Sequence, residues 1–255
     1  PVASVGPADR SKLPAVGELT PLDFPTIERA TLKNGIPVYF ARRTAVPTVS
    51  VRISFDAGYA ADPKSALGTQ SLLLNLMNEG TQKLDSSALA REKERLGANI
   101  RLSANSDMTS FQLDALSSNL APSLGLLSDV VLHPALDPAE LERVRTQQLT
   151  GIAAEMKNPS ALAARVLNPA LYGTQFPYAF PPSGSGDPAV VQTLKREDLA
   201  GFHARWFRPD TARIFVVGDT TLDQVVKMLD GSFGNWKANR MARPVKDFSA
   251  PIPAP

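Results

Sequence analysis

Strands joined by hairpins and separated by pairs of helices predict an α+β domain with a mostly antiparallel sheet covered on one face by helices. Three observations carry that expectation. Asn34-Gly35 separates two strand-like runs, residues 27–33 and 36–42, and a glycine there supplies the positive φ that a tight turn needs. Residues 49–55 (VSVRISF) alternate with period two, the signature of a half-buried strand. Helical segments with clear start and stop residues then fall between strands rather than after all of them.

Taken in order, residues 1–25 read as an irregular leader rich in Pro, Ala and Gly. After the hairpin and third strand, a helix is predicted over residues 66–78. A second begins at Ser86-Ser87, runs through ALAREKERLG and stops at Gly97 as a C-cap. Strands over residues 99–104 and 108–116 precede an apolar-periodic helix over 120–132. Asp137-Pro138 caps a long helix to about Lys157, with proline in the first turn, where its missing N–H leaves no intrahelical bond unmade. A helix over 161–171, a Gly/Pro-rich loop (YGTQFPYAFPPSGSGDP), two short helices, a strand over 211–217 and a helix over 221–229 close the domain, residues 26–238. Residues 239–255 are Pro-rich and end in ARPVKDFSAPIPAP, the composition of an extended linker leading to a second domain that this chain lacks. No internal repeat is visible.

Composition removes several function classes. The 27 Lys+Arg and 25 Asp+Glu leave a net charge of +2. No run of five basic residues occurs, so nucleic acid is not an expected partner. No apolar stretch approaches the roughly 18 residues of a membrane span. Cysteine is absent, which excludes disulfides, thiolate zinc sites and a cysteine nucleophile. Its absence fits a cytosolic protein or an extracytoplasmic one that avoids oxidation. The chain starts at Pro1 rather than Met, as a mature N-terminus does after signal removal, and as a trimmed chain also does. The periplasm is the expected location, the cytoplasm the alternative.

The informative stretch is Leu67–Thr81 (LGTQSLLLNLMNEGT), which has the outline of an inverted zinc-peptidase motif, H-x-x-E-H, closed by Gly-Thr. That chemistry needs two imidazoles four residues apart on one helix face, a carboxylate ligand and a general base. Ser71 and Asn75 keep the spacing, but a hydroxyl and an amide are poor zinc ligands, and Leu74 accepts no proton. The two histidines, His133 and His203, are 70 residues apart and read as a helix-terminal and a surface residue. The glycine-rich Gly184–Pro188 follows no strand and carries no Lys, so it does not read as a phosphate loop.

Further blocks join this one in a fixed order: FDAGYAADP (55–63), GTQSLLLNLMNEGT (68–81), LGANIRLSANSDMTSFQLDAL (96–116), DPAELERVRTQQL (137–149), LYGTQFPY (171–178), Gly184–Pro188, DLAGFHARWFRPDTARIFVVGD (198–219) and FGNW (233–236). Together they make the chain similar to the pitrilysin/insulinase family of zinc metallopeptidases, in its branch of short bacterial and mitochondrial-processing-type subunits. The resemblance covers residues 27–240 and implies a metallopeptidase-type domain of the ferredoxin-like or LuxS-like kind. Carried across, the first zinc His falls on Ser71, the catalytic Glu on Leu74, the second His on Asn75, and the third ligand, a Glu, on Gly151. Glu155 lies one turn further on, without histidine partners. The resemblance therefore implies a chain with no catalytic residues and no metal or other cofactor of its own, zinc being expected only in a partner subunit.

In such pairs an active H-x-x-E-H subunit and an inactive one enclose a peptide chamber, and each subunit carries two similar α+β domains. The resemblance thus implies the N-terminal domain of a non-catalytic subunit that supports an active partner and meets peptide substrate. A peptide-binding or structural module with no part in proteolysis is the alternative; a hydrolase using unrelated residues finds no supporting residue set. Peptide contact by strand addition would fall on Asn99, Ile100, Arg101, Leu102, Ser103 and Ala104, although their alternation suits an ordinary core strand equally well. Leu74, at the position of the base, is expected to face the chamber, unlike its apolar neighbours.

Overall fold

The computed structural model describes residue 17 and residues 24–251. The expected leader, residues 1–25, lies almost wholly outside the described residues. Six strands, β1 (Ile27–Thr31), β2 (Pro37–Arg42), β3 (Thr48–Phe55), β4 (Asn99–Ala104), β5 (Thr109–Leu116) and β6 (Ala212–Gly218), form one sheet in the order β1-β2-β6-β3-β5-β4. Every pairing is antiparallel except β2 with β6, which run parallel. The helices are α1 (Thr69–Met77), α2 (Ser86–Leu96), α3 (Leu120–Leu132), α4 (Pro138–Lys157), α5 (Pro159–Tyr172), α6 (Pro188–Thr193), α7 (Arg196–Trp206) and α8 (Leu222–Phe233). The expected α+β architecture is the observed one. Among the described residues no helix is long and apolar enough to cross a membrane.

The alternation of the strands decides which face is covered. Val38 and Phe40, Val51 and Ile53, Ile214 and Val216, and Phe111 and Leu113 stand in register on one face and are fully buried under helices. Phe55, Phe111, Phe207 and Trp236 interlock there, with ring centroids 5.1–6.0 Å apart. The opposite face carries Ser50, Arg52, Ser110, Phe215 and Val217 around a shallow cavity of about 480 Å³. One dry and one wet face is what period-two alternation requires.

Local signals explain most boundaries. Gly35, at φ 91°, makes the predicted turn, and the strand before it ends at Thr31 because Leu32 already belongs to the turn. Asn34 does more than turn the chain: its side-chain amide donates to Phe233 O (2.9 Å) and Trp236 O (3.1 Å), fastening the hairpin to the end of α8. The Asp85 side chain caps α2, and Gly97 ends it at φ 61°. Asp137 accepts from Ala139 N and Glu140 N ahead of the N1 proline of α4.

The described part of the Pro-rich segment, residues 239–251, is extended but does not swing free. Buried Arg208 donates to Met241 O and Ala242 O, and holds Asp210 at 2.7 Å. Lys246, almost fully buried at its side chain, donates to Asp56 Oδ1, Ala57 O and Asp107 O at 2.8–3.3 Å. Phe248 packs against Phe176 and Tyr178 at 5.7 and 5.4 Å. An extended lysine with three oxygen acceptors explains why a sequence of linker composition lies against the body as a strap.

Candidate functional site

The site positions gather where α1, α4 and the loop ahead of α6 meet. Two 3-10 turns, Tyr59–Ala61 and Lys64–Ala66, lead into α1, which starts later than periodicity suggests because Gly68 takes φ 101°. No side chain of the preceding residue caps the helix. Instead Asp62, buried six residues upstream, accepts from Gly68 N (2.8 Å) and Gln70 N (2.9 Å), placing a carboxylate at the positive end of the helix.

Seven of the nine α1 residues are buried, so only Ser71 and Asn75 face outward, in line with Asn78 just past the helix. That strip is the line of the expected ligand positions. Ser71 is half-buried and its hydroxyl donates to Gly184 O at 2.7 Å. Asn75 is exposed. Leu74 corrects the expectation of a chamber-facing residue: it is 6 % exposed and belongs to the core, because α1 is wedged between α4 and α7 and one step along the helix turns a side chain inward. Gly151 is exposed on α4, with open space where a side chain would begin.

The neighbouring carboxylate, Glu155, is already engaged. It accepts from Arg165 Nη1 (2.6 Å) of α5 and from Ser185 Oγ (3.0 Å), while Arg165 also reaches Ser185 Oγ (2.8 Å) and Gly186 O (2.5 Å). Gln148 of α4 donates to Gly68 O and Ser185 O. A guanidinium thus ties α4, α5 and the 183–187 loop together beside α1, and the glycine-rich stretch serves as a clasp on the α1 N-terminus. Burial raises the Tyr59 phenol beside it, against the opposing Ser71 hydroxyl.

These residues do not fit zinc. A hydroxyl committed to a carbonyl, a core leucine, an exposed amide and a glycine offer no tetrahedral nitrogen and oxygen set. Among the described residues no group of three or more His, Cys, Asp or Glu is placed to hold a metal. His133 is exposed at the end of α3. His203 corrects the surface expectation: it is half-buried, its Nε2 bonded to Val131 O (2.8 Å), its ring edge-on to Phe207, and burial holds its pKa below the usual value.

Asn99–Ala104 form β4, the last strand of the sheet, paired among the described residues with β5 alone. Ile100 points into the core, while Asn99, Arg101 and Ser103 are exposed and Arg101 pairs with Asp114. An edge strand of this kind offers unpaired backbone groups to another strand.

A cavity of about 890 Å³ lies elsewhere, between the 3-10 turns, α7 and the strap; Lys64, Glu197, Arg205 and Lys246 are among its walls. Sequence reasoning missed Asp62, Arg165 and Lys246. Asp62 stands too far from the helix for a capping pattern, and the other two find their partners only in space. Burial pushes the Asp62 carboxyl up to about 7, against its two backbone donors and nearby Lys64. A carboxyl raised on folding adds stability that is complete below its unfolded value, near 4, and is lost as pH rises through about 7. Denaturation from pH 4 to 8 should show a loss of up to about 1.4 kcal/mol per pH unit that Asp62→Asn removes. An unchanged slope in the variant would refute it.

Two family profiles match the chain: Insulinase (Peptidase family M16) over residues 38–179, and Peptidase M16 inactive domain over residues 193–255. The mitochondrial-processing peptidase subunit beta of Blastocladiella emersonii is 26% identical over 236 residues, 91% of this chain and 49% of that protein. The non-peptidase homolog YmxG of Helicobacter pylori is 23% identical over 197 residues, 77% of this chain and 45% of that one. The crystal structure of a peptidase M16 inactive domain from Pseudomonas fluorescens superposes with a TM-score of 0.79 at 28% identity, over 90% of this chain and 54% of that chain. The chain spans about half the length of these relatives. With the first profile alone covering more than half of its residues, the chain belongs to the insulinase peptidase family, M16.

Proposed function

We propose that the chain is a non-catalytic subunit, or the N-terminal half of one, that walls part of a peptide-enclosing chamber and supports an active partner carrying an intact H-x-x-E-H motif and its zinc. One observation carries this reading: the family fold is retained around α1, while Ser71, Leu74, Asn75 and Gly151 supply no zinc ligand and no general base. In this reading Asn99–Ala104 meet peptide by strand addition, and the periplasm is the compartment, which the cysteine-free composition suits. The match to a non-peptidase homolog favours one second reading, a binding or structural module outside proteolysis altogether.

Purified chain is expected to carry no zinc by elemental analysis and to cleave no peptide, with cleavage appearing when an H-x-x-E-H partner of the family is added. Stoichiometric zinc and chelator-sensitive cleavage by the chain alone would overturn the proposal. A partner that is no peptidase would favour the second reading.

A further inference from the structure

The sheet face turned away from the helices carries unanswered polar groups. Register places Val217, Ser50 and Asp114 in one row across β6, β3 and β5, then Phe215, Arg52 and Gln112, then Arg213, Ser54 and Ser110. The cavity of about 480 Å³ on this face is lined from those rows. Phe215, Val217 and Met108 give it an apolar wall, with Phe215 39% and Val217 44% exposed. Its polar side is not satisfied from within. Ser54 is 1% exposed, and its hydroxyl has no hydrogen-bond partner among the described residues. A buried hydroxyl left that way costs free energy, and native proteins leave few. Ser110 stands opposite it across the β3–β5 pairing. Arg52 uses one guanidinium nitrogen, on Gln112 Oε1 at 3.1 Å, and Arg213 is exposed beside Ser54 on β6. Neither arginine forms an ion pair among the described residues, and the acid in these rows, Asp114, is already held by Arg101, Ser50 and Gln112.

We propose that this cavity binds a carboxylate carried on a small apolar body, either a free hydrophobic acid or the C-terminal residue of a peptide. Arg52 takes the carboxylate in charge-assisted hydrogen bonds. The Ser54 hydroxyl donates to one of its oxygens, and Phe215 and Val217 cover the apolar part. An inorganic anion would leave the apolar wall unused. An uncharged apolar molecule would bury the hydroxyl and the guanidinium without partners, which is unfavourable. The volume falls within the range of small-molecule pockets, which are mostly apolar with a few placed polar groups. The site lies on the face of the sheet away from α1 and its degenerate motif, so it goes beyond the proposed subunit role and does not depend on it.

The test uses N-acetyl-leucine as the probe, followed through the backbone amide NMR shifts of the isotope-labelled chain. Saturable shifts are expected in β3, β5 and β6 around Ser54. N-acetyl-leucinamide, which lacks the charge, should bind at least about tenfold more weakly. Arg52→Gln should weaken the acid by a similar factor, while Arg29→Gln, on the same face at the distant strand β1, should leave its affinity unchanged. Ser54→Ala separates a ligand contact from a structural one. It should weaken the acid about fivefold, yet leave the thermal midpoint of the ligand-free chain unchanged or raised, because no partner within the described chain is lost. A tripeptide Ala-Ala-Leu that binds more tightly than N-acetyl-leucine identifies a peptide terminus as the source of the carboxylate; equal binding identifies a free acid. Shifts that do not saturate overturn the inference, as does equal binding of acid and amide. So do inorganic phosphate binding as tightly as the probe, an Arg29→Gln loss as large as that of Arg52→Gln, and a Ser54→Ala chain with unchanged affinity or a lowered midpoint. No readout is peptidase activity, so a failure of the proposed catalytic partnership leaves this result standing.

Discussion

Leu74→Glu, which puts an acidic residue where the resemblance expects the catalytic Glu, is expected to lower the unfolding free energy by about 3–5 kcal/mol at pH 7. The reason is position, not chemistry. Leu74 is 6 % exposed and packed in the core, so a carboxylate there is either charged without a partner or held neutral with its pKa pushed up. A raised pKa in the folded state means the variant's deficit against the native chain grows as pH rises from 4 to 7. Denaturant titrations at the two ends of that range measure both the deficit and its pH dependence. Leu74→Met, which conserves volume, should cost less than about 1.5 kcal/mol. Asn75→His, on the exposed strip, should stay within about 0.5 kcal/mol. A Leu74→Glu variant as stable as the native chain at pH 7 would show that this face of α1 is open to solvent and that Leu74 is no core residue.

Local order was legible in the sequence and long-range order was not. The Asn34-Gly35 turn, the alternation of β3, the Gly97 stop and the Asp137-Pro138 start are each decided by a few adjacent residues, and each appears in place. The insertion of β6 between β2 and β3 is not encoded nearby: Val38 meets Ile214, more than 170 residues away, and the one parallel pairing of the sheet follows from it. That Ser71, Asn75 and Gly151, where the resemblance leads one to expect zinc ligands, are a hydroxyl, an amide and a glycine is plain in the sequence, whatever surrounds them. The contacts that fill the place are not. Ser71 with Gly184, and Glu155 with Arg165 and Ser185, are pairs drawn from different elements, so no spacing announces them.

These contacts also explain how the region around α1 keeps its order with no metal ligands at Ser71, Asn75 and Gly151. In a zinc site the ion pulls two helices into register through its ligands. In this chain Arg165 supplies a fixed positive charge with several donors. A shorter or more flexible cation could not replace it, because one planar group must reach a carboxylate, a hydroxyl and a carbonyl. The clasp loop then hands that order on to α1. Its seating depends on one residue without a side chain.

Gly186→Ala should therefore cost about 2–4 kcal/mol, although it adds a single methyl group. Gly186 sits at φ 85°, where any side chain is strained, and its added Cβ would fall within the van der Waals shell of Leu67 O and of the Gly68 backbone. Neither neighbour is a flexible side-chain end, so the loop must lift from α1. Lifting it breaks the bonds from Ser71 to Gly184 O and from Gln148 to Ser185 O, and pulls Gly186 O from Arg165. The buried Gln148 amide then loses a partner, which makes the loss larger than the strain alone. Gly151→Ala is the matched control: it lies in mid-helix with open space around it, and should stabilise the chain by up to about 1 kcal/mol. Denaturant midpoints of the two variants should move in opposite directions. If Gly186→Ala instead leaves the midpoint unchanged, the loop is not a clasp, and the order of α1 rests on its Asp62 cap and its packing between α4 and α7.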